Sequence, residues 1–216
     1  MKIGVIGSGK MGLGIGKLWA AKSHKIFYSD VVLKAAQAAA RETSKKSKYG
    51  VVRECVAFGN ILLLSVPYLS IYKALKPLLN DSSINNKIIL DCTNPLSKDF
   101  KSLLIGYHTS AAEEISELFP KHRHIKVVKA LNTIASPVFE SGVTSFGKNK
   151  ATMFYCGDDR GAKRAIAKLI ADLGFEPVDA GPLVNARYLE PLAALIIQLA
   201  MSQDMGTNIA LKLLKR

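Results

Sequence analysis

Short apolar runs alternate with longer stretches whose apolar residues fall at helical spacing, and this alternation continues from the first residue to about residue 180. The runs are rich in Ile, Val and Leu on successive positions, as in strands covered on both faces. Strands are predicted at Lys2–Ile6, Lys25–Ser29, Asn60–Ser65, Lys87–Asp91, Ile125–Ala130, Ala151–Cys156 and Glu176–Asp179, with a short one near Tyr49. Helices are predicted at Lys10–Lys22, Val31–Ser44, Arg53–Phe58, Leu69–Leu79, Ala111–Leu118 and Arg160–Leu173. Such an order implies an α/β fold: a Rossmann-type, doubly wound, mainly parallel sheet with crossover helices. After Val184 the pattern becomes a single amphipathic helix with Leu192, Leu195, Ile196 and Leu199 on a broad apolar face, expected to end the chain. The expected division is residues 1–181 as a dinucleotide-binding domain and 182–216 as a helical segment at the substrate cleft or a dimer interface.

In a doubly wound sheet, ligands sit beyond the carboxyl ends of the strands, so the residues following each strand carry the functional reading. The first strand runs into Gly7-Ser-Gly-Lys-Met-Gly12, a G-x-G-x-x-G sequence with the required strand before it and helix after it. Gly7 permits the tight turn, Gly9 leaves room for a pyrophosphate, and Gly12 allows the helix to approach the sheet. The helix N-terminus then offers free N–H groups and its positive dipole end to the anion.

Strand two ends in Tyr28-Ser29-Asp30, where the adenosine ribose of a dinucleotide belongs. An acid accepting both ribose hydroxyls favours NAD, whereas Ser29 and Lys34 suit the 2'-phosphate of NADP; Asp30 either opposes that phosphate or caps the following helix. Ser65-Val-Pro67 and Asp91-Cys-Thr-Asn94-Pro follow the next two strands at the same edge. Pro67 either stiffens a ligand loop or starts a helix, and Asn94 either hydrogen-bonds a ribose or carboxamide or makes an Asn-Pro turn. Lys129, Asn132 and Thr133 end strand six, with Lys129 either lining the site or solvating the sheet edge. Nothing near Cys92 would activate a thiolate, and it reads as a packing residue. The four histidines form no metal site and no triad, although His108 is placed to line the cleft.

Composition narrows the partners. The 216-residue chain carries a net charge of +13, but its lysines are dispersed, and no alternation of aromatic and basic residues marks a nucleic-acid surface. No apolar stretch reaches the roughly 18 residues of a membrane span, so no membrane association is expected. Three widely spaced cysteines suit free thiols in a cytoplasmic protein. The apolar C-terminal helix needs cover, and a homodimer is the expected assembly.

Taken together, Gly4-Val-Ile-Gly-Ser-Gly-Lys-Met-Gly12, Ser65-Val-Pro-Tyr68, Asp91-Cys-Thr-Asn-Pro-Leu96, Val128-Lys-Ala-Leu-Asn-Thr-Ile134, Cys156-Gly-Asp-Asp159, Leu173-Gly-Phe-Glu-Pro-Val-Asp-Ala-Gly-Pro-Leu183 and Ala186-Arg-Tyr-Leu-Glu-Pro-Leu-Ala193 resemble the family of F-420-dependent NADP oxidoreductases. The resemblance implies direct hydride transfer between NADP(H) and a deazaflavin, coenzyme F-420, as co-substrate. Such a reaction needs two flat rings positioned in a water-poor cleft and no acid or base at the carbon that accepts hydride, so no catalytic side chain is expected. On this basis Gly7, Ser8, Gly9, Lys10 and Met11 are assigned to the pyrophosphate; Ser29, Asp30 and Lys34 to the adenosine ribose; Ser65, Val66, Pro67, Asn94, Ala130 and Asn132 toward the nicotinamide; and Pro137 and Leu189 to the border of the second substrate. Family members read Ser-Arg after strand two. Here Asp30 replaces the arginine, which leaves NAD possible beside NADP. Other small-molecule hydride acceptors, a flavin, a ferric chelate or a carbonyl compound, remain alternatives, as does a sensor that binds NAD(P) without turnover. A carbonyl acceptor would need a proton from Lys129, Tyr107 or His108.

Overall fold

A computed structural model describes all residues, 1–216. Eight strands form one sheet: β1 (Lys2–Ile6), β2 (Lys25–Ser29), β3 (Lys48–Tyr49), β4 (Ile61–Leu64), β5 (Ile88–Asp91), β6 (Lys126–Lys129), β7 (Thr152–Gly157) and β8 (Glu176–Asp179). Their spatial order is β3-β2-β1-β4-β5-β6-β7-β8. The first six strands are parallel and follow the doubly wound order 3-2-1-4-5-6. β7 runs antiparallel to β6, and β8 is parallel to β7. The chain changes sides of the sheet after β3, which opens the switch point between β1 and β4.

Helices cover both faces, and the sequence of β4 shows why they must. Ile61 and Leu63 join one buried cluster while Leu62 and Leu64 join the other, so the period of two points apolar side chains into two separate layers. One face is covered by α1 (Lys10–Ala21), α2 (Leu33–Thr43), α6 (Ser136–Ser141) and α7 (Arg160–Asp172), through Ile15, Trp19, Ala36, Phe139, Ile166 and Leu169. Trp19 is fully buried, and its indole N–H donates to the Leu169 carbonyl at 3.0 Å, tying α1 to α7. The other face is covered by α3 (Val52–Phe58), α4 (Ile71–Leu75), α5 (Ala111–Glu117) and α8 (Ala186–Met201), through Cys55, Val56, Ile71, Leu75, Ala112, Ile115 and Leu189.

Two expectations need correction, and one helix was not expected. The predicted helix at Leu69–Leu79 is a broken path of 3-10 turn, α4 and a second 3-10 turn over Lys76–Leu78, because Pro77 lacks the N–H that would continue an α-helix. Residues 136–141 form the short helix α6, with Pro137 in its first turn. The C-terminal helix does not end the chain: α8 stops at Met201, and Asp204 (φ 54°) and Gly206 (φ 71°) follow in left-handed conformations. The tail then returns to β7, where the Thr152 N–H donates to the Leu211 carbonyl at 2.8 Å. No helix is long and apolar enough to cross a membrane.

Candidate dinucleotide cleft

The phosphate loop is built by two close approaches that only glycine allows. Gly7 turns the chain out of β1 at φ 99°, a left-handed conformation disfavoured for other residues. A Cβ on Gly12 would lie 2.1 Å from the Gly7 carbonyl oxygen, so α1 docks directly on the end of β1. Gly9 differs from both. It is exposed, its backbone is extended at φ −66° and ψ −175°, and a Cβ there would meet nothing within 4 Å. That open side is where the sequence requires space for a pyrophosphate. The α1 N-terminus has no side-chain cap and no acid in its first turn, so its dipole end is uncompensated.

A cleft of about 490 Å³ opens beside this loop at the β1/β4 switch point. It is lined by Ile6, Gly7 and Gly9 from the end of β1, Ser29, Asp30 and Val31 from the end of β2, and Ser65, Val66 and Pro67 from the end of β4. Its outer walls are Val51 and Val52 at the start of α3 and Ser70, Lys73, Ala74 and Pro77 along the α4 region. Apolar walls with a few converging polar groups are what a nucleoside requires. The Ser65 hydroxyl donates to the Gly7 carbonyl at 2.8 Å, fixing the β1 and β4 loops relative to each other.

Asp30 meets part of one role the sequence offered, accepting an N–H at the entry to α2, and adds another at the glycine loop. Its Oδ2 accepts the Ser8 N–H at 2.8 Å and the Ser8 hydroxyl at 2.9 Å, while its Oδ1 accepts the Val32 N–H at 3.1 Å. The carboxylate therefore braces the glycine loop from below. Burial by itself would raise its pKa, but the hydrogen bonds from Ser8 and Val32 outweigh that and hold the carboxyl below its ordinary value. A depressed value means that Asp30 contributes stability above the unfolded carboxylate pKa of about 3.9, and the contribution disappears as pH falls through the folded value. Asp30→Asn is thus expected to lower thermal stability at pH 7, with the gap narrowing toward about pH 3. Melting curves at the two pH values check it, and a gap that stays constant would mean the charge is not what holds Ser8.

Several assigned residues lie elsewhere. Ser8 is buried with both of its donors committed to Asp30, so it supports the loop and offers nothing to a phosphate. Lys10 is exposed and Met11 half-buried in the first turn of α1, beside the cleft and not in its lining. Lys34 is exposed on α2, also outside the lining. Pro137 is carried by α6, which packs on α1 through Phe139 against Gly14. Ala130 and Leu189 are buried among apolar neighbours, so neither presents a surface in this conformation. Asn94 and Asn132 pair with each other: Asn132 Nδ2 donates to Asn94 Oδ1 at 3.0 Å, and Asn94 Nδ2 donates to the Asn132 carbonyl at 2.9 Å. Asn132 Nδ2 also donates to the Leu189 carbonyl at 2.9 Å, which leaves Asn132 Oδ1 as a buried acceptor without a partner. This amide pair ties α8 to the ends of β5 and β6.

Lys129 is neither at a solvated edge nor open to a ligand. Fully buried, it reaches Asp91 at 2.7 Å, Glu190 at 2.6 Å and the Thr93 carbonyl at 2.6 Å. Burial would lower its pKa, but the Asp91 and Glu190 carboxylates reverse that and raise it. Burial raises Glu190, against the opposing pull of Lys129. Glu190 also accepts the Ala111 and Ala112 N–H groups at the start of α5, so one buried network joins β5, β6, α5 and α8. Burial pushes the Cys92 thiol up to about 12, consistent with packing and with no nucleophilic role. No cluster of three metal-ligating side chains occurs.

The loop, the switch-point cleft and the 3-2-1-4-5-6 sheet define a Rossmann-type fold, the class of sheet that carries dinucleotide sites at its switch point. Residues 2–95 match the family model described as NADP oxidoreductase, coenzyme F-420-dependent, and bear out the resemblance read from the sequence. A stretch of 127 residues, 59% of the chain, is 32% identical to metalloreductase STEAP3 of Rattus norvegicus. It spans 23% of that protein. Among solved structures, a candidate F-420-dependent NADP reductase from Arthrobacter sp. FB24 superposes with a TM-score of 0.87 at 24% identity, covering 100% of both chains. A reductive aminase from Aspergillus terreus, solved in complex with NADPH and ethyl-5-oxohexanoate, superposes at 0.67 with 14% identity. That match covers 94% of this chain and 63% of the aminase. At these identities the structures show a shared fold.

Proposed function

We propose that the protein is an NAD(P)-dependent oxidoreductase that transfers hydride between NADP(H) and a deazaflavin of the F-420 type. The observation that carries this reading is the uncapped α1 N-terminus opening, through the bare Gly9, into a nucleoside-sized cleft at the switch point. The residues fit a dinucleotide. The Lys10–Gly12 turn of α1 would hold the pyrophosphate, Ser29 the adenosine ribose, and Val31, Val51, Val52, Ala74 and Pro77 the adenine. Ser65, Val66 and Pro67 after β4, with the Asn94–Asn132 pair after β5 and β6, would serve the nicotinamide end.

A bound nicotinamide supplies the hydride; the protein's task is to hold the ring, align it and exclude water. Asp30 and Lys73 are the only ionisable side chains in the cleft lining, and Asp30 is committed to Ser8. Transfer between two rings needs no more. A carbonyl acceptor would need a proton donor, and two of the three candidates are badly placed: Lys129 is sealed between two carboxylates, and Tyr107 is 91% exposed. A flavin or ferric chelate is the second reading, favoured by the sequence match to a metalloreductase.

The test is loss of NADPH absorbance with oxidised F-420, free flavin and a ferric chelate in parallel. Turnover is expected to be fastest with F-420. Faster turnover with flavin or chelate would transfer the assignment to that acceptor. Tight NADPH binding with no turnover on any of them would make the protein a sensor.

A further inference from the structure

In the assigned adenosine end of the cleft, one charge has no counterpart. Ser70, Lys73, Ala74 and Pro77 line the same wall at spacings of three, one and three, so they share one face of the helical path around α4. Lys73 stands on that face, exposed, and the ion pairs of the fold all lie elsewhere. Asp30, across the cleft, is the opposing charge within the lining, but its two oxygens are already taken by three donors from Ser8 and Val32. Lys34, the first cation after the ribose-binding strand end, is exposed and is not among the lining residues. An unpaired ammonium in a cleft with apolar walls attracts an anion more strongly than the same group on an open surface.

We infer that Lys73 is the specificity-determining residue that recognises a phosphate on the adenosine ribose and so selects NADP over NAD. The inference rests on the dinucleotide reading above and assigns to α4 a task expected of the residues after β2. Asp30 remains an anion, but its oxygens are turned back onto the Ser8 and Val32 donors, so the Lys73 ammonium is the charge in the lining left for a 2'-phosphate.

Calorimetric titration with 2',5'-ADP and with 5'-AMP tests the inference without turnover. The native chain is expected to bind 2',5'-ADP about tenfold more tightly than 5'-AMP. Lys73→Met is expected to remove most of that ratio while leaving 5'-AMP affinity within about twofold, and Lys73→Arg to keep it. An unchanged ratio in Lys73→Met, or an equal loss for both ligands, would overturn the assignment, the latter marking Lys73 as an adenine contact. Failure of the native chain to bind either nucleotide would instead overturn the dinucleotide reading, and the inference with it.

Discussion

Gly9→Val is expected to lower NADPH affinity by about a hundredfold or more while the protein stays folded. The argument depends on how the glycines of the loop differ. A Cβ at Gly12 would strike the Gly7 carbonyl at 2.1 Å, so a substitution there would damage the loop itself and say little about ligands. At Gly9 the backbone is in a region open to any L-residue, and nothing lies within 4 Å of the new Cβ. The cost to the fold is the change of a helix N-cap from glycine to a poor capping residue, about 1 kcal/mol, or roughly 2–4 °C in a chain of this size. The isopropyl group would occupy the space above the α1 N-terminus that the phosphates need. NADPH fluorescence titration and a melting curve, run on the same preparation, read both halves. Undiminished binding would remove the cradle from the site.

Lys129→Met is expected to have the largest effect on stability. It leaves Asp91 and Glu190 buried without their shared cation, and breaking a buried ionic network in this way costs about 3–5 kcal/mol. A chain of this length would lose roughly 10 °C in its midpoint. The sign of the pH dependence follows from which carboxylate holds a proton more tightly when folded. Burial already raises Glu190, and removing Lys129 takes away the charge that opposed the shift. A group whose folded pKa is raised stabilises the fold at low pH and ceases to do so as pH rises through the folded value. The variant should therefore be least defective on the acid side and most defective above neutrality. In the native protein Lys129 is itself raised, so its contribution persists until pH climbs past the ordinary lysine range. Denaturant unfolding at pH 5 and pH 8 checks both size and sign; a loss under about 1 kcal/mol at both would mean the triad is not a structural tie.

Much of the fold was legible because burial on both faces leaves a strong signature. β1, β4 and β5 are nearly uninterrupted apolar runs, and each lies within a residue of its expected position. The glycine loop was legible for the same local reason, since turn, strand and helix are adjacent in sequence. What sequence left open are relations between distant segments. Nothing near residue 30 reveals that Asp30 faces Ser8, 22 positions earlier, and so the acid was weighed only as a ribose ligand or a helix cap. Lys73 was missed because it follows β4 by nine residues on a helix read as continuous, whereas Pro77 and two 3-10 turns decide which face meets the cleft. The buried triad did have a signal. Asp91 and Lys129 are opposite charges at the ends of two apolar strands, and they pair in register once β5 and β6 are neighbours. Glu190 could not be added without knowing where α8 lies.

A crystal structure of the NADPH complex tests the central claim most directly. The expected result is a pyrophosphate over Gly9 and the first turn of α1, with the adenine between Val51–Val52 and Ala74–Pro77. Density for the dinucleotide anywhere other than the β1/β4 switch point, or none at saturating NADPH, would contradict it.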